Sequence, residues 1–216
     1  MYLKNSNTIV IKIGSSLLIN DDKIVRTRWL EEFSKDIKEL KSESKNIIIV
    51  SSGAIALGCK KLNLNKKNIK LDKSQAVASI GQIELMNLFK KTFKKSKVNL
   101  SQILLTLEDT EIRARAINAK RTFENLFSLN YVPVVNENDS IATSEIKYGD
   151  NDRLASRVAQ ISGADCLILL SDVNGLYTKN PKIFKEAKLI NEIKDINLKI
   201  EKMSTRSISA HGTGGM

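Results

Sequence analysis

The chain has 216 residues, a formal net charge of +11 and 42% hydrophobic residues, enough apolar material for one large α/β domain or two small ones. Its two cysteines, Cys59 and Cys166, lie far apart without a CxxC spacing, and His211 is the only histidine; a disulfide framework, a zinc centre and a histidine-based triad are disfavoured, and a reducing cytoplasm fits. The positive charge is spread over lysine patches such as "KKLNLNKKNIK" and "KKTFKKSK" with no RNP-type, zinc-finger or helix-turn-helix signal, so nucleic acid is not the expected partner, whereas small anions suit this field.

Short β-branched runs recur along the chain: "TIVIKI" (8–13), "NIIIV" (46–50), "SQILLT" (101–106), "YVPVV" (131–135) and "CLILL" (166–170). They are nearly continuously apolar, which predicts strands buried on both faces, as in a parallel sheet. Between them lie helical patterns. Over 22–42, Val25, Trp29, Phe33, Ile37 and Leu40 form one apolar stripe; over 73–95, Val77, Ile80, Leu85, Leu88 and Phe93 do the same. Segments 112–129 and 152–162 also read as helices. Strand–helix alternation predicts one domain, a sheet covered by helices on both faces. "MYLKNSNTIVIKIG" lacks the h-region of a signal peptide, and no apolar run approaches the ~18 residues of a membrane span.

Polar motifs follow the strands: "GSS", "SSGAIALG", "LEDTE", "NENDS" and "SDVNGLY". A parallel sheet gathers its strand C-termini along one edge, where open α/β sheets bind ligands. Sequence order alone therefore collects Gly14, Ser15, Ser52, Gly53, Asn136, Asp139, Ser171 and Asp172 around one crevice, although polar turns alone would also produce such residues. Lys12 stands inside an apolar strand just before the Gly-Ser-Ser turn. Buried, it calls for an anion, with the amides of Gly14 and Ser15 available to a phosphate; on an edge strand it would simply face solvent. Ser-Ser-Gly at a strand-to-helix junction favours a carboxylate or phosphate. Asp150, Asn151 and Asp152 open the next helical pattern, where capping is an equal explanation. Glu137 and Asp139 make a second acidic cluster, suited to an ammonium group or a metal ion. Basic and acidic loops in one crevice point to a zwitterionic substrate beside a phosphate donor. Walker, GxGxxG, HExxH, GxSxG and HRD motifs are all absent.

Taken in order, "VIKIGSSLL", "VSSGAIALG", "VPVVNENDSIATSEIKYGDND", "LLSDVNGLYTKNP" and "GTGGM" resemble the glutamate 5-kinase branch of the amino-acid kinase family, from Ile9 to Met216. The resemblance implies a three-layer αβα sandwich with a mostly parallel sheet. It implies transfer of the ATP γ-phosphoryl group, with Mg²⁺, to the side-chain carboxylate of L-glutamate, the first step toward proline. On matching positions, Lys12 would contact the transferred phosphoryl group. Ser52, Gly53, Asp139, Asn151 and Asp152 would hold glutamate. Gly14, Ser15, Ser171 and Asp172 would line the nucleotide site, with Asp172 also orienting the lysine. Thr213, Gly214, Gly215 and Met216 would begin a nucleotide phosphate loop. The family also leads one to expect self-association and proline feedback. Two departures stand out: Asn180 replaces the usual aspartate of "GLYTxDP", and the family pattern continues past "GTGGM" into a second lysine, further nucleotide-side elements and, in many members, a PUA-type domain. The expectation is a chain short at its C-terminus. A non-catalytic ligand-binding remnant and a family kinase with another acceptor stay open as alternatives.

Overall fold

The computed structural model describes residues 2–20, 22, 24–65, 69–142, 151–198 and 200, and the backbone of 207–209 and 212–214. Five parallel strands form the central sheet: β1 (Thr8–Ile13), β2 (Asn46–Ser51), β3 (Asn99–Leu105), β4 (Tyr131–Glu137) and β5 (Cys166–Leu170), in the order β3-β4-β2-β1-β5. The helices are α1 (Tyr2–Asn5), α2 (Ser15–Leu18), α3 (Thr27–Ser42), α4 (Ala54–Lys61), α5 (Leu71–Ser96), α6 (Leu107–Glu111), α7 (Arg113–Ser128) and α8 (Asn151–Ser162). A separate antiparallel ribbon joins β6 (Ser207–Ser209) to β7 (Gly212–Gly214).

The period-2 geometry of strands explains the continuous apolar runs. Ile9, Ile11 and Ile13 of β1, with Ile47 and Ile49 of β2, face one core completed by Leu30, Phe33 and Ile37 of α3 and Leu85, Phe89 and Phe93 of α5. Val10, Ile48 and Val50 face the other, completed by Ala119 and Phe123 of α7 and Leu154, Ala155 and Val158 of α8. The result is the expected αβα sandwich. Two strands depart from burial on both faces because they are sheet edges. In β3, Gln102 and Leu104 are exposed, and β5 is half-buried throughout. No described helix is long and apolar enough to cross a membrane.

The elements after β1 and β2 cover one face, and those after β3 and β4 the other. The chain reverses its direction along the sheet as it changes face, as right-handed crossovers require. Neighbouring β2 and β4 therefore send their chains to opposite faces, and a crevice opens between their C-termini. The helix bordering this crevice, α4, is fixed against α5 by backbone contact. A Cβ on Gly81 would lie 1.8 Å from the Ala54 carbonyl oxygen, and one on Gly58 2.2 Å from that of Val77.

Candidate active site

The crevice between β2 and β4 is lined by polar groups that the fold buries. Ser51 is fully buried, and Asn136, Glu137 and Asn151 are each less than a tenth exposed. Asn151 opens α8 and closes the crevice. Its Nδ2 donates to the Ser51 carbonyl at 2.9 Å, the Ser52 hydroxyl at 2.7 Å and Asn136 Oδ1 at 3.1 Å. Two N–H protons are thus shared among three acceptors from β2, its following turn and β4. Gly53 makes that turn possible. Its φ of +109° lies in the left-handed region, and it caps α4. The loop after β4 is held by Asn138 N–H donating to Leu105 O at 2.9 Å and by Gln75 Nε2 donating to Ala142 O at 2.9 Å.

Asp152 stands one residue beyond Asn151 and serves a different strand. Its Oδ1 meets Lys12 Nζ at 2.5 Å, with the two side chains 19% and 12% exposed. Lys12 lies on β1, paired on both sides, opposite Val50 of β2 and Leu169 of β5. It is therefore not an edge lysine facing solvent. A buried ammonium is tolerated here because a carboxylate meets it. A Cβ on Gly14 would come 3.8 Å from Lys12 Nζ, an ordinary contact.

Two expectations need correction. Gly14 does not present its amide to a ligand: its N–H donates to Leu170 O at 3.2 Å, continuing the sheet toward β5. Asp172 does not orient Lys12. It accepts from Lys182 Nζ at 2.5 Å and from the Ser171 hydroxyl at 3.2 Å, and the Lys182 hydrogen bond holds it below the ordinary carboxylate range. Lys12 is left to Asp152. The "LEDTE" motif that follows β3 starts a helix. Thr106 and Asp109 form a reciprocal capping box at α6.

Ser52, Asn136 and Asn151 are joined by hydrogen bonds, and Asp152 and Lys12 by their ion pair; Gly53 and Gly14 shape the adjoining turns. Asp139 lies half-buried in the loop after β4, two residues from Glu137. Ser15 opens α2, and Ser171 and Asp172 follow β5 at the same sheet edge. Thr213 and Gly214 belong to β7, paired with β6. Asp150, His211, Gly215 and Met216 lie outside the described residues.

Glu137 was legible as part of an acidic cluster but not as a buried group. It is 4% exposed, and its Oε1 has no hydrogen-bond partner among the described residues. Burial, with the Asp139 carboxylate nearby, pushes it up to about 7. Asn151 Oδ1 is likewise buried without a partner there. A signal existed: Glu137 shares the alternate face of Val135, which packs into the core with α7 and α8.

A sequence model of the amino acid kinase family matches residues 7–216. The chain belongs to this family. It is 76% identical over 216 residues to a glutamate 5-kinase of Pelagibacter ubique, matching all of this chain and 59% of that protein. It is 46% identical over 208 residues to the glutamate 5-kinase of Rhodospirillum rubrum, covering 96% of this chain and 56% of that one. The chain thus spans under two thirds of the length of these curated relatives. Among solved structures, the isopentenyl phosphate kinase of T. acidophilum in its product complex shares the fold. It has a TM-score of 0.59 at 16% identity, over 86% of this chain and 79% of that one.

Proposed function

We propose that this site transfers the γ-phosphoryl group of ATP to the side-chain carboxylate of L-glutamate, giving L-glutamyl 5-phosphate, which feeds proline biosynthesis. The observation that carries the reading is the pairing of neighbours at the start of α8. Asn151 locks the β2–β4 crevice, while Asp152 holds Lys12 on β1. On this reading, one helical turn serves both an acceptor pocket and a phosphoryl-facing cation. The glutamate 5-kinases to which the chain is 76% and 46% identical support the choice of acceptor.

A carboxylate is already a nucleophile, so the reaction needs no general base. The difficulty lies in bringing two anions together and neutralising the charge of a loose phosphoryl transition state. Lys12 supplies positive charge at the transfer point, and Asp152 aims it. Ser52, Asn151 and Asp139 orient glutamate, with the two carboxylate-bearing loops facing its ammonium. Ser171 and Asp172 border the nucleotide. Among the described residues, no three His, Cys, Asp or Glu side chains converge on a metal position. The reading places Mg²⁺ on nucleotide oxygens and water, where it would offset phosphate charge.

The test is ATP-dependent hydroxamate formation by this chain with L-glutamate, aspartate and carbamate as acceptors. Glutamate-dependent turnover is expected. Turnover with another acceptor only, or glutamate binding without turnover, would overturn the assignment.

A further inference from the structure

Two buried acceptor atoms stand out at the β2–β4 crevice. Asn151 Oδ1 and Glu137 Oε1 are both buried and both lack a donor among the described residues. Leaving such atoms unpaired is costly, and native folds rarely do so without a reason. The two sit on adjoining elements. Asn136, the residue before Glu137, accepts from the Asn151 side chain at 3.1 Å. The groups left over are all acceptors, and Asp139 follows two residues on. What such a set lacks is a compact donor with several protons, and an ammonium group is one.

A permanently charged Glu137 would not be stable there in the absence of a ligand. Among the described residues, no cation pairs with its buried Oε1. The loop after its own strand brings Asp139, a second negative charge. From α5 comes Gln82, whose Nε2 donates to the Glu137 backbone carbonyl at 3.3 Å and whose Oε1 accepts from Gln102 of β3; neither titrates. On α6, Asp109 is held by Arg115, and Glu111 by Arg153 and Arg157 of α8; Glu108 is exposed. The remaining charged group at the start of α8, Asp152, is paired with Lys12. Arg115, Arg153 and Arg157 are thus already committed to other carboxylates.

We propose that Glu137 is an acceptor-site residue that waits as the neutral acid and releases its proton to solvent when the ammonium group of the amino-acid acceptor arrives. The step balances simply: the O–H bond of the Glu137 carboxyl breaks, its proton passes to buffer, and the new carboxylate pairs with an ammonium that keeps its own protons. Acceptor binding is then coupled to proton release, and the site selects an acceptor bearing a cation over one that presents only a carboxylate. The inference rests on the acceptor reading above and adds a residue and a proton to it. The raised proton affinity of Glu137, pushed up to about 7 by burial and Asp139, agrees with this arrangement.

The experiment is titration calorimetry of the full chain with L-glutamate in buffers of different ionisation enthalpy, between pH 6 and pH 8. With a group near 7, affinity is expected to be about tenfold weaker at pH 6 than at pH 8. Buffer-dependent heats should report roughly half a proton released at pH 7. A second readout needs neither variant nor turnover. The Glu137 side-chain carboxyl carbon, followed by NMR, should titrate near pH 7 in the free protein and move to lower pH with glutamate present. Glu137→Gln should remove the pH dependence. Binding with equal heats in all buffers would overturn the proton coupling while leaving the acceptor reading standing. A free-protein titration near the ordinary glutamate value would do the same. Absence of glutamate binding at every pH would overturn both together.

Discussion

Gly81→Ala tests whether the acceptor crevice depends on the close approach of α4 and α5. The added Cβ would lie 1.8 Å from the Ala54 carbonyl oxygen, 2.6 Å from its carbonyl carbon and 2.8 Å from the Gly58 nitrogen. All three are backbone atoms, so no rotamer change relieves them. The nearest contact is about 1.5 Å short of a normal carbon–oxygen separation, and the helices must part by a comparable amount. Two opposing terms decide the outcome. Alanine in a helix interior gains about 1 kcal/mol over glycine. Overpacking costs ~1–3 kcal/mol and occasionally more, and a collision with backbone belongs at the upper end. Net destabilisation of about 2 kcal/mol is expected, read as a lower urea midpoint at unchanged slope. Activity should fall further than stability, because Ala54 begins the helix that follows Ser52 and Gly53. A displacement of ~1 Å at reacting groups costs on the order of 10²-fold in rate. Gly163→Ala is the control. Its φ of +66° makes alanine strained, but nothing lies within 4 Å of the new Cβ, so a small stability loss without a kinetic defect is expected. A Gly81→Ala protein as stable and as active as its parent would refute the reasoning.

Three other outcomes follow from the site. Lys12→Ala should lower kcat by on the order of 10²–10³-fold while changing the KM for glutamate little, as steady-state hydroxamate kinetics would show; equal turnover rejects the phosphoryl role. Asn151→Ala strips donors from three acceptors, two of them in buried residues, and should cost about 2 kcal/mol in urea unfolding and raise the KM for glutamate; an unchanged KM removes it from the acceptor pocket. Stability should also depend on Glu137, whose folded-state value of about 7 lies above its ordinary 4.5. Between those pH values the native state keeps a proton that the unfolded chain has lost. Stability from this group is therefore full below about pH 4.5 and falls by about 3 kcal/mol as pH rises through 7. Urea midpoints across pH 4.5 to 8 should show the fall in the parent and a flatter profile in Glu137→Gln.

The layers and the ligand edge were legible because they follow from periodicity. Continuous apolar strands demand two covered faces, and parallel strands put the polar motifs at one edge. The helix expected over 112–129 forms over Arg113–Ser128, and that over 152–162 over Asn151–Ser162. The helical stripe of 22–42 begins later, at Thr27, because Ile19 and Val25 first make a bridge. What one-dimensional pattern could not supply was pairing across the crevice. Whether Lys12 meets Asp152 or Asp172 depends on where α8 starts on the far side of the sheet, some 140 residues along the chain. Gly14 likewise reads as a phosphate turn, yet its amide continues the β1–β5 ladder. Glycine at 58 and 81 showed no local reason at all; only the helix–helix approach explains it.

The first turn of α8 sets two requirements against each other, and its packing reconciles them. Consecutive helical residues point about 100° apart, so Asn151 and Asp152 must address different strands. Asn151 turns to β2 and β4, and Asp152 to β1. Rotation or sliding of the helix would spoil both at once. Leu154, Ala155 and Val158 oppose that movement, since they are packed into the core formed by Val10, Ile48, Val50 and Val135. A densely packed interior resists small shifts. The same side of the helix that buries apolar surface thus fixes the position of the Asn151 side chain relative to the Asp152–Lys12 pair. While Asp152 neutralises it, Lys12 can stay buried without a ligand.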